Sequence, residues 1–208
     1  MGGGWPQAAG QRRAFVEMVR GIEPTRLDDA TWCGEWRVRD IAGHLSAFVD
    51  VPFPVFMFNI ARAFGNYDKA SDRMARKQAT KPIEVLLNTI ETRATKESAL
   101  SSFPAEMTTA DVTIHTEDVR RPLGLPGEPD PDAVAASLNF VATHKMGKAI
   151  IDPKKLEGLQ LTAVDLGWSH GSGQKVSGSG GAILLALAGR PTFDELTGDG
   201  VATLQARI

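Results

Sequence analysis

The stretch Trp36-Arg37-Val38-Arg39-Asp40-Ile41-Ala42-Gly43-His44-Leu45, continued by Ser46-Ala47-Phe48-Val49, decides how the chain is read. Val38, Ile41, Leu45 and Phe48 recur at steps of three, four and three, which puts them on one side of an α-helix. His44 sits one residue from Leu45 and three from Ile41, at the edge of that apolar stripe. A titratable ring at the rim of a core-facing helix is placed to meet groups on a neighbouring helix.

Working outward, Phe15, Met18, Val19 and Ile22 give the segment from Trp5 to Ile22 the same helical spacing, with Gly21 to Pro24 as its stop. On the other side, Pro52 and Pro54 break or kink the chain before an apolar run. In that run Phe53, Phe56, Met57, Ile60 and Phe64 keep helical spacing. A buried bundle helix is the expectation there, with a dimer or ligand face as the alternative.

Residues Gly65 to Lys81 are polar and basic and read as a solvated helix or connector. Pro82 suits the first residue of a helix through Val85, Leu86 and Ile90 toward Leu100. Thr108-Thr109-Ala110-Asp111 opens a further helix through His115 to about Arg120, stopped by Pro122 and Gly124. A last long helix spans roughly Pro131 to Ile150.

Composition changes near Pro153. Leu159 to Leu166 alternates like a half-buried strand, glycines punctuate residues 171–181, and Ala182 to Leu187 reads as a short helix on a small sheet. The tail carries Val201, Leu204 and Ile208 at helical spacing, with a short final strand as the alternative. The expected class is α+β: a helical bundle over residues 1–152 and a small α/β domain over 153–208.

Composition excludes several functions. A net charge of −2 across 208 residues gives no electrostatic footprint for nucleic acid. Asp50, Pro52, Pro54 and Arg62 interrupt the most apolar stretch and exclude a spanning helix. With Cys33 as the single cysteine, neither an internal disulfide nor a thiolate zinc cluster can form. The N-terminus lacks the basic and apolar regions of a signal peptide, so a cytoplasmic location is expected. Trp32 and Trp36 around Cys33 suggest packing rather than catalysis.

The chemistry-bearing residues are few. Asp111 and His115 stand four apart on a predicted helix, so their side chains project together and could share one divalent ion if a third ligand came from elsewhere. His44 is the natural donor. Two imidazoles and one carboxylate suit zinc and leave a coordination position open. Alternatively, Thr108 and Asp111 form a capping box and His115 is a surface residue.

Three blocks resemble a known family. Leu27-Asp28-Asp29-Ala30-Thr31-Trp32-Cys33 through Leu45 resembles the N-terminal signature of the mycothiol-dependent maleylpyruvate isomerase family. His115-Thr116-Glu117-Asp118-Val119-Arg120-Arg121-Pro122-Leu123-Gly124 resembles its second motif. Trp168-x-x-Gly171-x-Gly173 and Leu184-Leu185-Ala186-Leu187-Ala188-Gly189-Arg190 resemble its small second domain.

The resemblance implies a DinB-like four-helix bundle holding a divalent metal, usually zinc, through His44, Asp111 and His115. It departs at Asp111, where the family usually has Glu. It further implies an isomerase or S-transferase in which the metal activates a low-molecular-weight thiol, mycothiol, against a small electrophile or acidic substrate. Arg120, Arg121 and Arg190 are the candidate anion clamps, and Asp118 could orient a ligand histidine. A non-catalytic metal-binding or ligand-sensing module, or a metal-dependent hydrolase, are the other readings of the same fold.

Overall fold

The structure is a computed structural model that describes residues 4–96 and 103–208. Among the described residues it is a mixed α+β protein, with nine α-helices and one three-stranded sheet. The chain divides into two compact units, residues 1–108 with 118–125, and residues 109–117 with 126–208.

The first unit contains α1 (Trp5–Arg20), α2 (Val38–Asp50), α3 (Phe53–Arg62), α4 (Tyr67–Gln78) and α5 (Ile83–Thr92). Helix α2 starts where its sequence supplies a cap: the Arg37 backbone N–H donates to the Asp40 carboxylate at 3.0 Å, and the Arg37 guanidinium donates to the same carboxylate. Burial alone pushes the Asp40 carboxyl up, but the Arg37 hydrogen bonds and charge outweigh it, leaving the pKa below the ordinary carboxylate value. Val51 and Pro52 end the helix, as the sequence suggests.

Helix α2 lies against α4 and α5, and α1 lies against α5. The approach to α4 depends on Gly43: a Cβ there would stand 2.4 Å from the Ala75 carbonyl oxygen and 2.9 Å from the Ala79 nitrogen. Ala70, Ser71, Met74 and Ala75 form the buried face of α4, so the basic segment is solvated on one side only. Helix α5 begins at Ile83 with Pro82 as its cap residue. It stops at Thr92, where buried Arg12 donates to the carbonyls of Ala94 and Lys96 and satisfies them in place of a further helical turn. The end of the expected helix at Leu100 lies outside the described residues.

Helix α3 corrects one expectation. The Phe-rich segment is not a buried bundle helix: Phe56 alone is buried, while Phe53, Met57 and Phe58 are exposed. Spacing put the apolar residues on shared faces, but Phe56 is the one turned to Ala47, Val51 and Met74.

Helix α6 (Ala105–Arg120) supplies its ends to the first unit and Thr109–Glu117 to the second. It begins three residues earlier than expected, because the Pro104 carbonyl accepts from the N–H groups of Met107 and Thr108. Thr108 is therefore interior to the helix, and the capping-box reading of Thr108 and Asp111 is excluded.

The second unit adds α7 (Pro131–Thr143), a sheet of β1 (Leu159–Ala163), β2 (Trp168–Gly171) and β3 (Gln174–Gly178), then α8 (Gly180–Leu187) and α9 (Val201–Arg207). Helix α7 ends well before Ile150, because the His144 ring accepts from the Met146 N–H and turns the chain. Strand order is β2-β1-β3, with β1 antiparallel to β2 and parallel to β3; Leu161 faces both His170 and Val176. A parallel neighbour after a hairpin requires the chain to pass under the end of β1, and Gly173 (φ +124°) permits it, since a Cβ there would stand 2.1 Å from the Gly158 carbonyl oxygen.

Leu159, Leu161 and Ala163 alternate inward along β1 and meet α8, whose residues are all buried. Each fully buried Leu or Ile in this layer stabilises the unit by about 1.5–3 kcal/mol. The tail is helical, not a strand.

Candidate metal centre

Asp111 and His115 are one turn apart on α6, with His115 buried and Asp111 partly so. The His115 Nε2 and Asp111 Oδ1 atoms stand 3.6 Å apart. That is longer than a hydrogen bond. Two ligands held about 2.0–2.2 Å from a tetrahedral ion stand about 3.4 Å from each other. The separation is that of an ion pair when the imidazole is protonated, and two ligands of one ion can also take it.

His44 is built into the first unit with its ring fixed on several sides. It is 4% exposed, with the Trp36 and Phe48 rings centred 5.0 Å and 4.7 Å away. Its Nδ1 is 3.1 Å from the Ser71 hydroxyl oxygen, on the face of α4 that Gly43 allows close to α2. This contact, with the two flanking rings, orients the imidazole. Trp36 is itself oriented by donating from Nε1 to Asp72 at 2.8 Å.

Asp111 and His115 offer two candidate ligand atoms from one turn of α6, and within the first unit the Cys33 Sγ and an Asp118 carboxylate oxygen lie within 4.8 Å of each other. The second pair was not legible in the sequence. Its signal is a backbone hydrogen bond, Trp32 N–H to the Asp118 carbonyl at 3.0 Å, which ties the loop before α2 to the end of α6. Asp118 is fully buried and Glu117 nearly so.

The arginines take separate places. Arg120 is half-buried in the last turn of α6, where positive charge is favoured by the helix end. The Arg121 guanidinium lies over the Trp32 ring, 5.9 Å from its centre. Arg190 follows the left-handed Gly189 and donates to the Ala188 carbonyl beyond α8. The other two histidines have structural partners: His144 stacks on Phe140, and His170 stacks on Trp168. No described helix is long and apolar enough to cross a membrane.

No protein-family model matches the chain, and no curated protein matches it in sequence. Two solved structures share its fold: the mycothiol-dependent maleylpyruvate isomerase, at 17% identity, and a histidine-to-alanine mutant of that enzyme, at 16%. Each superposes with a TM-score of 0.58 over 94% of this chain and 90% of the other. At the level of the fold, the chain is similar to mycothiol-dependent maleylpyruvate isomerase.

Proposed function

We propose that this protein is a metal-dependent enzyme that uses a low-molecular-weight thiol, mycothiol or a close relative, to isomerise or S-alkylate with a small acidic electrophile. On this reading the helical part is a DinB-like four-helix bundle, and His44, Asp111 and His115 hold one divalent ion, zinc by donor type. The observation that supports the reading is that His115 and Asp111 present an imidazole and a carboxylate 3.6 Å apart on one turn of α6, a spacing two ligands of one ion can take. The fold shared with the isomerase supports the thiol as cosubstrate.

When bound, the ion supplies Lewis acidity that keeps the external thiol as thiolate at neutral pH. The chain's own residues do the rest. Ser71 orients the His44 ring, and Trp36 and Phe48 flank it. One of Arg120, Arg121 and Arg190 supplies the positive charge for a substrate carboxylate. The thiolate sulfur adds to a conjugated double bond, pushing an electron pair onto the substrate carbonyl oxygen. The former double bond rotates, the pair returns, and the carbon–sulfur bond breaks to release the isomer and the thiolate.

The test is turnover of maleylpyruvate and of an activated electrophile by metal-loaded protein, with and without mycothiol. Thiol-dependent turnover is expected, reduced about 100-fold or more when Arg190, Arg120 or Arg121 is the clamp and is changed to Met. Hydrolysis without any thiol would replace this reading with a metal-dependent hydrolase. Metal binding without turnover of either compound would leave a binding module.

A further inference from the structure

The segment from Val51 to Gly65 inverts the usual arrangement of a surface helix. Phe53, Val55, Met57 and Phe58 are 51%, 45%, 44% and 59% exposed, and Phe64, just beyond α3, is 99% exposed. Phe64 also has φ +53°, a left-handed conformation that costs a residue with a Cβ about 1 kcal/mol. The sequence thus holds an aromatic ring in solvent at a position that glycine would fill without strain.

Arg62 is the only charged residue from Val51 to Gly65, and its guanidinium lies over the Phe58 ring, 5.7 Å from the centre. We infer that this face is the contact between two copies of the chain, an isologous dimer built on α3 and Phe64. Area and charge select the occupant. The exposed parts of the three Phe rings equal about two whole side chains, roughly 400 Å². With Val55 and Met57 the segment exposes about 500 Å² of apolar surface per copy, so a two-fold pair that wraps all of it buries about 1,000 Å², the lower bound for a specific interface.

An anionic bilayer would find a single cation on the face, whereas membrane-surface helices combine apolar side chains with several basic ones. A second copy needs no counter-charge, because apolar surface is complementary to itself under two-fold symmetry.

Sedimentation velocity on the full chain tests this. A reversible dimer is expected, half-associated at micromolar concentration. Phe58→Glu places two carboxylates in the contact and should weaken association about 100-fold, while Phe64→Gly should weaken it about tenfold. Both side chains are exposed, so circular dichroism and the unfolding midpoint of the monomer should not fall. A parent protein that stays monomeric at about 100 µM overturns the proposal, as does a dimer that Phe58→Glu leaves intact. Co-sedimentation of the monomer with phosphatidylserine vesicles, abolished by Phe58→Glu, would assign the face to a membrane instead.

Discussion

Helices α2 and α3 are neighbours in sequence, separated by Val51 and Pro52, and they obey opposite rules. Helix α2 buries Asp40, His44 and Ser46 together with its apolar residues. Helix α3 buries Phe56 and leaves most of its other large apolar side chains in solvent. A buried polar group must find partners, and those of α2 have them: Asp40 has Arg37, and His44 has Ser71. The exposed apolar side chains of α3 leave most of their surface in solvent, which is the observation behind the proposed contact. Polar residues inside mark the chemistry of this molecule, and apolar residues outside mark its contacts.

Three substitutions would break or sharpen that contrast. The largest effect is expected for Gly43→Ala, which drives a methyl into the Ala75 carbonyl and should cost about 3 kcal/mol in chemical denaturation. Wild-type stability in this variant would mean that α2 and α4 are not in close contact. Because Ser71 faces His44 across the same approach, the variant should also disturb the His44 ring.

Asp40→Ala removes a fully buried carboxylate that caps α2 and pairs with Arg37, at a cost of about 2 kcal/mol near neutral pH. The sign of its pH dependence follows from the lowered pKa. The contribution is complete above the unfolded-state value of about 3.9 and disappears as pH falls through the lower folded-state value. Urea unfolding of parent and variant should therefore converge as the pH falls below the lowered folded-state value. A gap that persists there would show that packing, not charge, makes the contribution.

The smallest effect belongs to α3. Phe58→Ser should change monomer stability by no more than about 0.5 kcal/mol, since most of the ring is already in water. A loss several times larger would place Phe58 in the core and remove the contrast.

Much of this was legible before any coordinates. The span of α2 follows from local signals, Asp40 three residues after the cap residue and Pro52 after the end. Asp111 and His115 could be paired because helical geometry brings residues four apart onto one face. The orientation of α3 could not be read, because periodicity says which side chains share a face and not which face meets the core. Nor could the early end of α5, since the carbonyls of Ala94 and Lys96 just beyond it are satisfied by Arg12, more than eighty residues away.

The surroundings of the candidate ligands were hidden for the same reason. Ser71 comes from a segment that looked merely basic and solvated. Cys33, read as a packing residue beside Trp32 and Trp36, comes close to Asp118 through a backbone bond that no sequence pattern announces.

The central claim is that Asp111 and His115, with His44, hold a divalent ion. The most direct test is the metal content of protein purified without chelator, measured for the parent chain, His44→Ala and His115→Ala, before and after incubation with zinc. About one ion per chain is predicted for the parent, with little or none retained by either variant. A parent protein that stays free of metal after zinc is supplied would contradict the account, as would variants that bind as much as the parent.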